Sequence, residues 1–289
     1  MPSTVTAAAI ASALAWLLCL PLLLLSAVHG QQNSDTSASC EAPAIPRGLD
    51  IHEDGTLYVL DAGTGILAFA SSSGGFLGSF ADTEAEGGLT VSGDGIFVSA
   101  ASPISGTVEA FDLDANLVLT FPESSSDHEA PAGAYDVTVD ETGDVYVSNF
   151  LEDGVEVYDG ATGEYLRKIL EDTRALGIAF GPDGILYAAI NGDDQVRRFQ
   201  ISAEGNSTLI DAFISGGSGS NTRVGPWGVA VNQEDYLIYV CWAGSKELTE
   251  YSQSGAELRW WVPGEDVSAT IAPGAGGGDN DDGDVVGGG

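Results

Sequence analysis

The stretch PRGLDIHEDGTLYVLD, residues 46–61, decides the fold. It holds a short apolar strand, an Asp54-Gly55 turn, and a second strand of aromatic and β-branched residues. The same order of apolar strand, polar turn and apolar strand recurs four more times. The other copies are GLTVSGDGIFV at 88–98, DVTVDETGDVYV at 136–147, GIAFGPDGILY at 177–187 and GVAVNQEDYLIYV at 228–240. Repetition at intervals of 40 to 51 residues predicts an architecture of similar units stacked against each other.

Each copy is followed by two further strand-like segments, so the repeating unit is four strands joined by short turns. These segments predict an all-β chain of four-stranded antiparallel blades, five of them visible. The Asp-Gly dipeptides in three of the first hairpins predict type I′ turns. Two ways of closing the ring stay open. Either five blades close it, or residues 267–271 and the segment before Pro46 form a thin sixth sheet.

Residues 46–61, together with Pro226-Trp227-Gly228-Val229-Ala230-Val231, resemble NHL repeats. The resemblance extends over about residues 46–263 and implies a β-propeller. NHL-like propellers usually have six blades, one more than the copies that can be counted. On the basis of this resemblance, we assign residues 46–273 to an NHL-like β-propeller domain.

The two ends of the chain differ in composition from the repeats. Residues 1–30 carry no Lys, Arg, Asp or Glu, contain a long apolar run, and end in small residues before Gln31. This pattern predicts a secretory signal peptide and a secreted or cell-surface protein; an uncleaved membrane anchor is the alternative. Residues 31–45 then form an N-terminal segment that could supply a closing strand. Residues 274–289, rich in Gly and Asp, are expected to be disordered.

Two cysteines, Cys40 and Cys241, remain after removal of the signal peptide. Cysteines of secreted proteins usually form disulfides. Because Cys40 precedes the first blade and Cys241 ends the second strand of the last, we predict a Cys40–Cys241 disulfide across the seam. Two unrelated buried cysteines are the alternative. Asn206-Ser207-Thr208 is an acceptor sequence for N-glycosylation at Asn206.

The charge is strongly one-sided, with 43 acidic against 9 basic residues and a formal net charge of −34. Such a field repels nucleic acids and anionic membrane surfaces. We therefore expect no nucleic-acid partner, and no membrane partner unless the N-terminal segment is uncleaved.

Oxygen-bearing side chains recur where inner strands and second strands would face the axis. Asp50, Asp61, Asp136 and Asn149 are candidate ligands for a hard cation. Calcium-dependent lactonases of the gluconolactonase and paraoxonase kind resemble this chain in architecture, and the resemblance implies calcium near the axis. The alternative is that Asp61 and Asn149 satisfy backbone amides of turns. No cofactor is expected, and calcium is the one considered possible.

A catalytic set is harder to find in this sequence. Beyond the signal peptide the only histidines are His52 and His128, too few for a zinc site or a Ser-His-Asp triad. Trp227, Trp242 and Trp261 are candidates for a binding patch, or for packing between sheets. The sequence thus favours a non-catalytic propeller that binds a protein, peptide or glycan. The alternative is a calcium-dependent lactonase- or esterase-like hydrolase.

Overall fold

A computed structural model describes residues 46–52, 54–70, 73–92, 98–101, 106–121, 133–151, 153–171, 173–202, 205–216, 223–262 and 270–271. These residues form five antiparallel sheets, each built from strands that are consecutive in the chain. The short connections follow from the sequence, since each strand is bounded by Gly, Asp, Asn or Ser residues that favour turns.

The strands are numbered in chain order. The first sheet contains β1 (Pro46–Ile51), β2 (Thr56–Asp61), β3 (Gly65–Ala70) and β4 (Gly75–Ala81). The second contains β5 (Leu89–Val91), β6 (Val98–Ala101), β7 (Val108–Phe111) and β8 (Leu117–Phe121). The third contains β9 (Ala134–Val139), β10 (Val145–Asn149), β11 (Gly154–Tyr158) and β12 (Tyr165–Ile169). The fourth contains β13 (Ala175–Phe180), β14 (Ile185–Ile190), β15 (Gln195–Ile201) and β16 (Ser207–Ser215), with a 3₁₀ turn at Asn191–Asp193. The fifth contains β17 (Pro226–Val231), β18 (Ile238–Trp242), β19 (Glu247–Tyr251), β20 (Glu257–Trp261) and β21 (Thr270–Ile271).

The core lies between the sheets, because strand residues alternate sides and both sides of the middle strands are buried. Each pair of sheets that is consecutive in the chain shares a single apolar cluster. At the junction of the third and fourth sheets, for example, Tyr146 and Val157 pack with Ile178 and Leu186. Burying two apolar faces per sheet is the arrangement that turns a row of small sheets into a propeller. The fold class predicted from the sequence, an all-β propeller of antiparallel blades, is confirmed.

The first hairpins differ from the type I′ prediction. Gly55 has φ 87°, Gly143 has φ 89° and Gly184 has φ 73°, whereas the residue before each glycine is not left-handed. A type I′ turn needs two successive left-handed residues, so that prediction is wrong for the first and fourth sheets. Among the described residues of these hairpins, the glycine at the end of the turn is the left-handed one. The corresponding turn of the second sheet, at 93–95, lies outside the described residues.

The expected thin sixth sheet is corrected in part. Thr270 and Ile271 pair with Trp260 and Arg259, so this piece is the outer strand of the fifth sheet and not part of a separate one. The segment before Pro46, the predicted signal peptide and residues 274–289 lie outside the described residues. Among the residues that the structure does describe, no helix is long and apolar enough to cross a membrane.

Candidate functional site

An axial channel is lined by the first strand of every sheet. Residues of these strands, β1, β5, β9, β13 and β17, line a cavity of about 910 Å³. The channel has two distinct ends. At the "hairpin end" the inner strands run into their first turns, and at the "start end" the inner strands begin. Both ends bring together residues that are far apart in the sequence.

Asp50 and Asp136 project from β1 and β9 and line this cavity. Each carboxylate reaches the next inner strand. Asp50 Oδ2 accepts hydrogen bonds from the Val91 N–H at 2.9 Å and the Thr90 hydroxyl at 3.2 Å. Asp136 Oδ2 accepts the Ile178 N–H at 2.9 Å. The two carboxylates therefore connect the first sheet to the second and the third to the fourth.

The other oxygen of each carboxylate accepts the N–H of the following residue, Ile51 at 2.8 Å and Val137 at 3.0 Å. Burial nevertheless raises the pKa of Asp136 to about 7, and the nearby Asp50 carboxylate adds to the rise. Burial likewise raises the pKa of Asp50. Desolvation disfavours the charged form more than these N–H groups stabilise it.

Asp61 and Asn149 do not join this pair. They are the last residues of β2 and β10, both are fully buried, and neither lines the cavity. The hydroxyl of Thr64 donates to Asp61 Oδ2 at 2.5 Å, and Asn149 Nδ2 donates to Glu156 Oε1 at 3.3 Å. The four candidate cation ligands are thus split between two environments.

The arrangement does not fit a calcium centre at these positions. Calcium takes six to eight oxygen ligands, whereas the oxygens of Asp50 and Asp136 are engaged by backbone N–H groups. Across the described parts of the chain, no three His, Cys, Asp or Glu side chains form a group able to hold a metal ion.

The start end carries aromatic side chains. Tyr135 in β9 and Trp227 in β17 meet edge to face, with ring centroids 5.8 Å apart, although their sheets are not neighbours. The ring centroid of Phe150, the residue that follows β10, lies 6.5 Å from that of Tyr135. Arg47 of β1 is exposed and close enough to act electrostatically on Tyr135. All three rings are half-buried, so each keeps a surface that a ligand can contact.

The other two candidate tryptophans occupy different places. Trp242 is a correction, because it is completely buried between the fourth and fifth sheets, packed with Tyr187 and Val240. It cannot contribute to an exposed patch. Trp261 is half-buried on β20, with the Arg259 guanidinium 5.9 Å from its ring centroid. It lies on the outer strands of the fifth sheet, away from the axis.

The structure shows where Cys241 and Asn206 lie, but it tests neither the predicted disulfide nor the predicted glycosylation. Cys241 is fully buried in β18, and Cys40 lies outside the described residues, so their disulfide stays a prediction. Asn206 is exposed immediately before β16, as an acceptor for glycosylation has to be. Its glycosylation also stays a prediction.

Sequence reasoning missed Tyr135 and Arg47. Arg47, Tyr135 and Trp227 each lie where the pairing of the inner strand with the second strand is interrupted, as at Pro46/Gly48 and Pro226/Gly228. A bulge turns the extra side chain away from the ladder. The signal was present, since Arg47 and Trp227 each follow a proline and precede the glycine that opens a repeat copy.

The fold and the lined channel define a β-propeller with a central cavity. No family model and no curated protein matches the chain. Solved structures do resemble it. Virginiamycin B lyase from Staphylococcus aureus has 15% identity and a TM-score of 0.53, covering 75% of this chain and 69% of that one. A gluconolactonase from Xanthomonas campestris has 16% identity and a TM-score of 0.58, covering 75% of each chain.

A chain of a nidogen/laminin complex has 12% identity and a TM-score of 0.60, covering 77% of this chain and 81% of that one. At this level of identity the likeness concerns the fold. The same fold thus serves as an enzyme in two of these structures and occurs in a protein–protein complex in the third. Membership of the NHL repeat family stays a prediction.

Proposed function

We propose that the protein is a secreted or cell-surface β-propeller that binds a protein, peptide or glycan and does not act on it chemically. The observation that carries the proposal is the meeting of Tyr135 and Trp227 near the axis, beside the exposed Arg47. These residues come from three different sheets, so only the tertiary fold brings them together.

The chemistry of the start end suits recognition. Tyrosine, tryptophan and arginine are the residues enriched at binding hot spots, since each combines a large contact area with a polar group. Leu151, 64% exposed next to Phe150, extends the apolar surface. The two long polar insertions of the sequence, 122–131 and 215–221, precede β9 and β17, the strands that bear Tyr135 and Trp227. Binding residues are often found on such insertions next to a rigid scaffold.

The hydrolase alternative is less well supported. A calcium-dependent lactonase needs a cation near the axis, whereas the carboxylate oxygens of Asp50 and Asp136 accept hydrogen bonds from backbone N–H groups. Hydrolysis of lactones or esters by the purified mature protein, dependent on added calcium and abolished by Asp136→Asn, would favour the alternative. We expect no such activity.

The binding proposal is tested with Trp227→Ala in the full mature chain. Wild-type protein is screened on printed glycan and peptide arrays, and affinities for the retained ligands are measured in solution. We expect Trp227→Ala to weaken binding about tenfold or more, which corresponds to about 1.4 kcal/mol. Trp227→Phe, which keeps an aromatic ring, should recover part of the loss.

Phe76→Ala is the matched control. Phe76 is also half-buried and touches another ring, Phe69, at 5.3 Å, but it lies on the outer strand of the first sheet. The affinity of Phe76→Ala for the same ligands should stay within about twofold of wild type, because Phe76 lies outside the proposed binding surface. Equal losses of affinity in Trp227→Ala and Phe76→Ala would contradict the proposal. So would ligand binding that Trp227→Ala leaves unchanged.

A further inference from the structure

The seam, which is the junction between the fifth and the first sheets, is built differently from the other four junctions. At each of those four, the inner strands of consecutive sheets meet at the backbone. The contacts are Asp50 Oδ2 with the Val91 N–H at 2.9 Å, the Gly88 N–H with the Tyr135 carbonyl at 2.8 Å, Asp136 Oδ2 with the Ile178 N–H at 2.9 Å, and Gly177 packed against Gly228. Among the described residues, no hydrogen bond joins β17 to β1, and the two end sheets share no apolar cluster.

The sides of these two sheets that face the seam are nevertheless buried. Tyr239 and Cys241 of the fifth sheet are 0% exposed, and Leu49 and Val59 of the first sheet are 2% exposed. Side chains stand roughly perpendicular to a sheet, so one sheet cannot shield its own face to this degree. A further layer therefore lies against both faces, and the described parts of the two sheets do not supply it for each other.

The segment of this chain that suits the seam is 38–45, which lies outside the described residues. It directly precedes Pro46, the first residue of β1, so it joins the fold at the inner strand that borders the seam. Its sequence is ASCEAPAI, in which small apolar residues at 38, 40, 42 and 44 alternate with Ser39, Glu41 and Pro43. Alternation with a period of two predicts an extended segment with one apolar face, and eight extended residues span about 26 Å. Small side chains suit the narrow space between two sheets.

Other occupants suit the seam less well. A second copy of the chain carries the same net charge of −34 and is repelled by the first. The C-terminal residues 274–289 are mostly Gly and Asp, which cannot cover an apolar face. They also follow β21, the outermost strand of the fifth sheet, which is far from the inner strands in the order of the sheet.

We propose that residues 38–45 lie between the fifth and the first sheets as an extended layer, with their small apolar side chains against the cluster of Cys241 and Leu248. The chain's own N-terminal segment then closes the ring, because the two end sheets do not meet directly. This closure does not depend on what the start end of the channel binds.

The reactivity of the Cys241 thiol tests the proposal, because Cys241 is fully buried at the seam. The parent is the mature chain with Cys40→Ala, which keeps the apolar face and leaves Cys241 as its one cysteine. Iodoacetamide labelling of the folded protein is followed by mass spectrometry. We expect Ala42→Lys in this parent to speed labelling of Cys241 about tenfold or more, since a charge against an apolar cluster favours local opening.

Ser39→Lys in the same parent is the matched control. It adds the same charge on the opposite face of the segment, so labelling should stay within about twofold of the parent. Equal rates in Ala42→Lys and Ser39→Lys overturn the proposal. Faster labelling on removal of residues 274–289, or on dilution of the parent, also overturns it, since the tail or a second copy would then be the occupant.

Proteolysis of the unaltered mature chain tests the same contact without a substitution. A glutamate-specific protease cuts after Glu41, and the synthetic peptide of residues 31–45 gives the rate for the same bond in a free segment. We expect cleavage after Glu41 in the folded protein to be about tenfold or more slower than in the peptide, because it has to await local opening. Equal rates would mean that the segment is not packed in the seam.

Discussion

At the scale of single residues, Asp136 has an environment unlike that of an ordinary surface carboxylate. It is 6% exposed, its two oxygens accept backbone N–H groups of β9 and β13, and burial raises its pKa to about 7. In the unfolded chain its pKa is that of a free aspartate, about 3.9. Between these values the folded protein holds a proton that the unfolded chain has released.

The sign of the pH dependence follows. Where the native state binds more protons than the unfolded state, the free energy of unfolding decreases as pH rises. The contribution of Asp136 is therefore fully present below about pH 4 and is lost as pH rises through about 7. We expect the unfolding free energy of wild type minus that of Asp136→Asn to fall over this window. Urea denaturation at several pH values measures it.

The control for this experiment is Asp112→Asn. Its exposed carboxylate has a pKa lowered by hydrogen bonds from Asn116, so it is ionised in both states above about pH 5. The difference in unfolding free energy between wild type and Asp112→Asn should not change with pH over the window in which the difference for Asp136→Asn falls. A flat difference for both variants would mean that Asp136 is ionised in the folded protein at acidic pH.

At the scale of elements, the inner strands approach each other more closely than side chains allow. A Cβ atom on Gly177 of β13 would lie 2.6 Å from the Cα of Gly228 in β17. One on Gly48 of β1 would lie 2.6 Å from the backbone nitrogen of Leu89. Glycine at these positions of the repeat is required for contact between strands, and it lets the first strands converge on the axis.

We expect Gly177→Ala to lower the free energy of unfolding by about 1–3 kcal/mol, the usual cost of forcing atoms into a filled space. The cause is steric, because Gly177 is not left-handed and alanine fits its backbone conformation. Gly192→Ala is the control, since nothing lies within 4 Å of a Cβ atom there. That variant should stay within about 0.5 kcal/mol of wild type, and an equal loss in both would refute the steric explanation.

How far the sequence predicts these elements depends on local signals. Alternating apolar residues and Asp-Gly turns suffice for the strands and their order, because both features act over a few residues. The side of the sheet on which a residue lies is harder to predict. In β18, Val240 and Trp242 lie on the side that packs against the fourth sheet, and Cys241 lies on the opposite side. For Trp242 the alternative of packing between sheets therefore holds, and not the binding patch.

The candidate site was predictable only in part. Asp50 and Asp136 were identified from their places on first strands, and both line the cavity. Asp61 and Asn149 were placed with them, although the last residues of second strands are buried between sheets. The meeting of Tyr135 with Trp227 joins the third and fifth sheets across the axis. Such a contact depends on the curvature of the whole ring, which no local pattern encodes.

At the scale of the whole molecule, one junction differs from the rest. Four junctions each have a single apolar cluster built from both sheets. The described residues of the fifth and first sheets share no such cluster, and each of these two sheets has a cluster of its own. Tyr239, Cys241 and Leu248 belong to one, and Leu49 and Val59 to the other. Among the described residues, the seam between the last and the first sheet therefore lacks a shared apolar cluster.

The predicted Cys40–Cys241 disulfide would act at this seam. The net charge of −34 favours expansion by self-repulsion, and a covalent link between the ends opposes opening of the ring. Cys241 is on the seam side of the fifth sheet, and Cys40 lies six residues before the start of β1. Closing a loop of about 200 residues is worth up to about 5 kcal/mol by restricting the unfolded chain.

We expect non-reducing peptide mapping of the secreted protein to find one linked pair of peptides containing Cys40 and Cys241. Reduction, or Cys40→Ser, should lower the unfolding free energy by an amount approaching that limit. Reducing agent should have no further effect on Cys40→Ser, which separates loss of the bond from any other action of the reductant. Cys40 is the residue to change, because serine at the fully buried Cys241 would also place a hydroxyl in an apolar cluster. Two free thiols in the secreted protein would contradict the disulfide and leave the seam to be closed by packing alone.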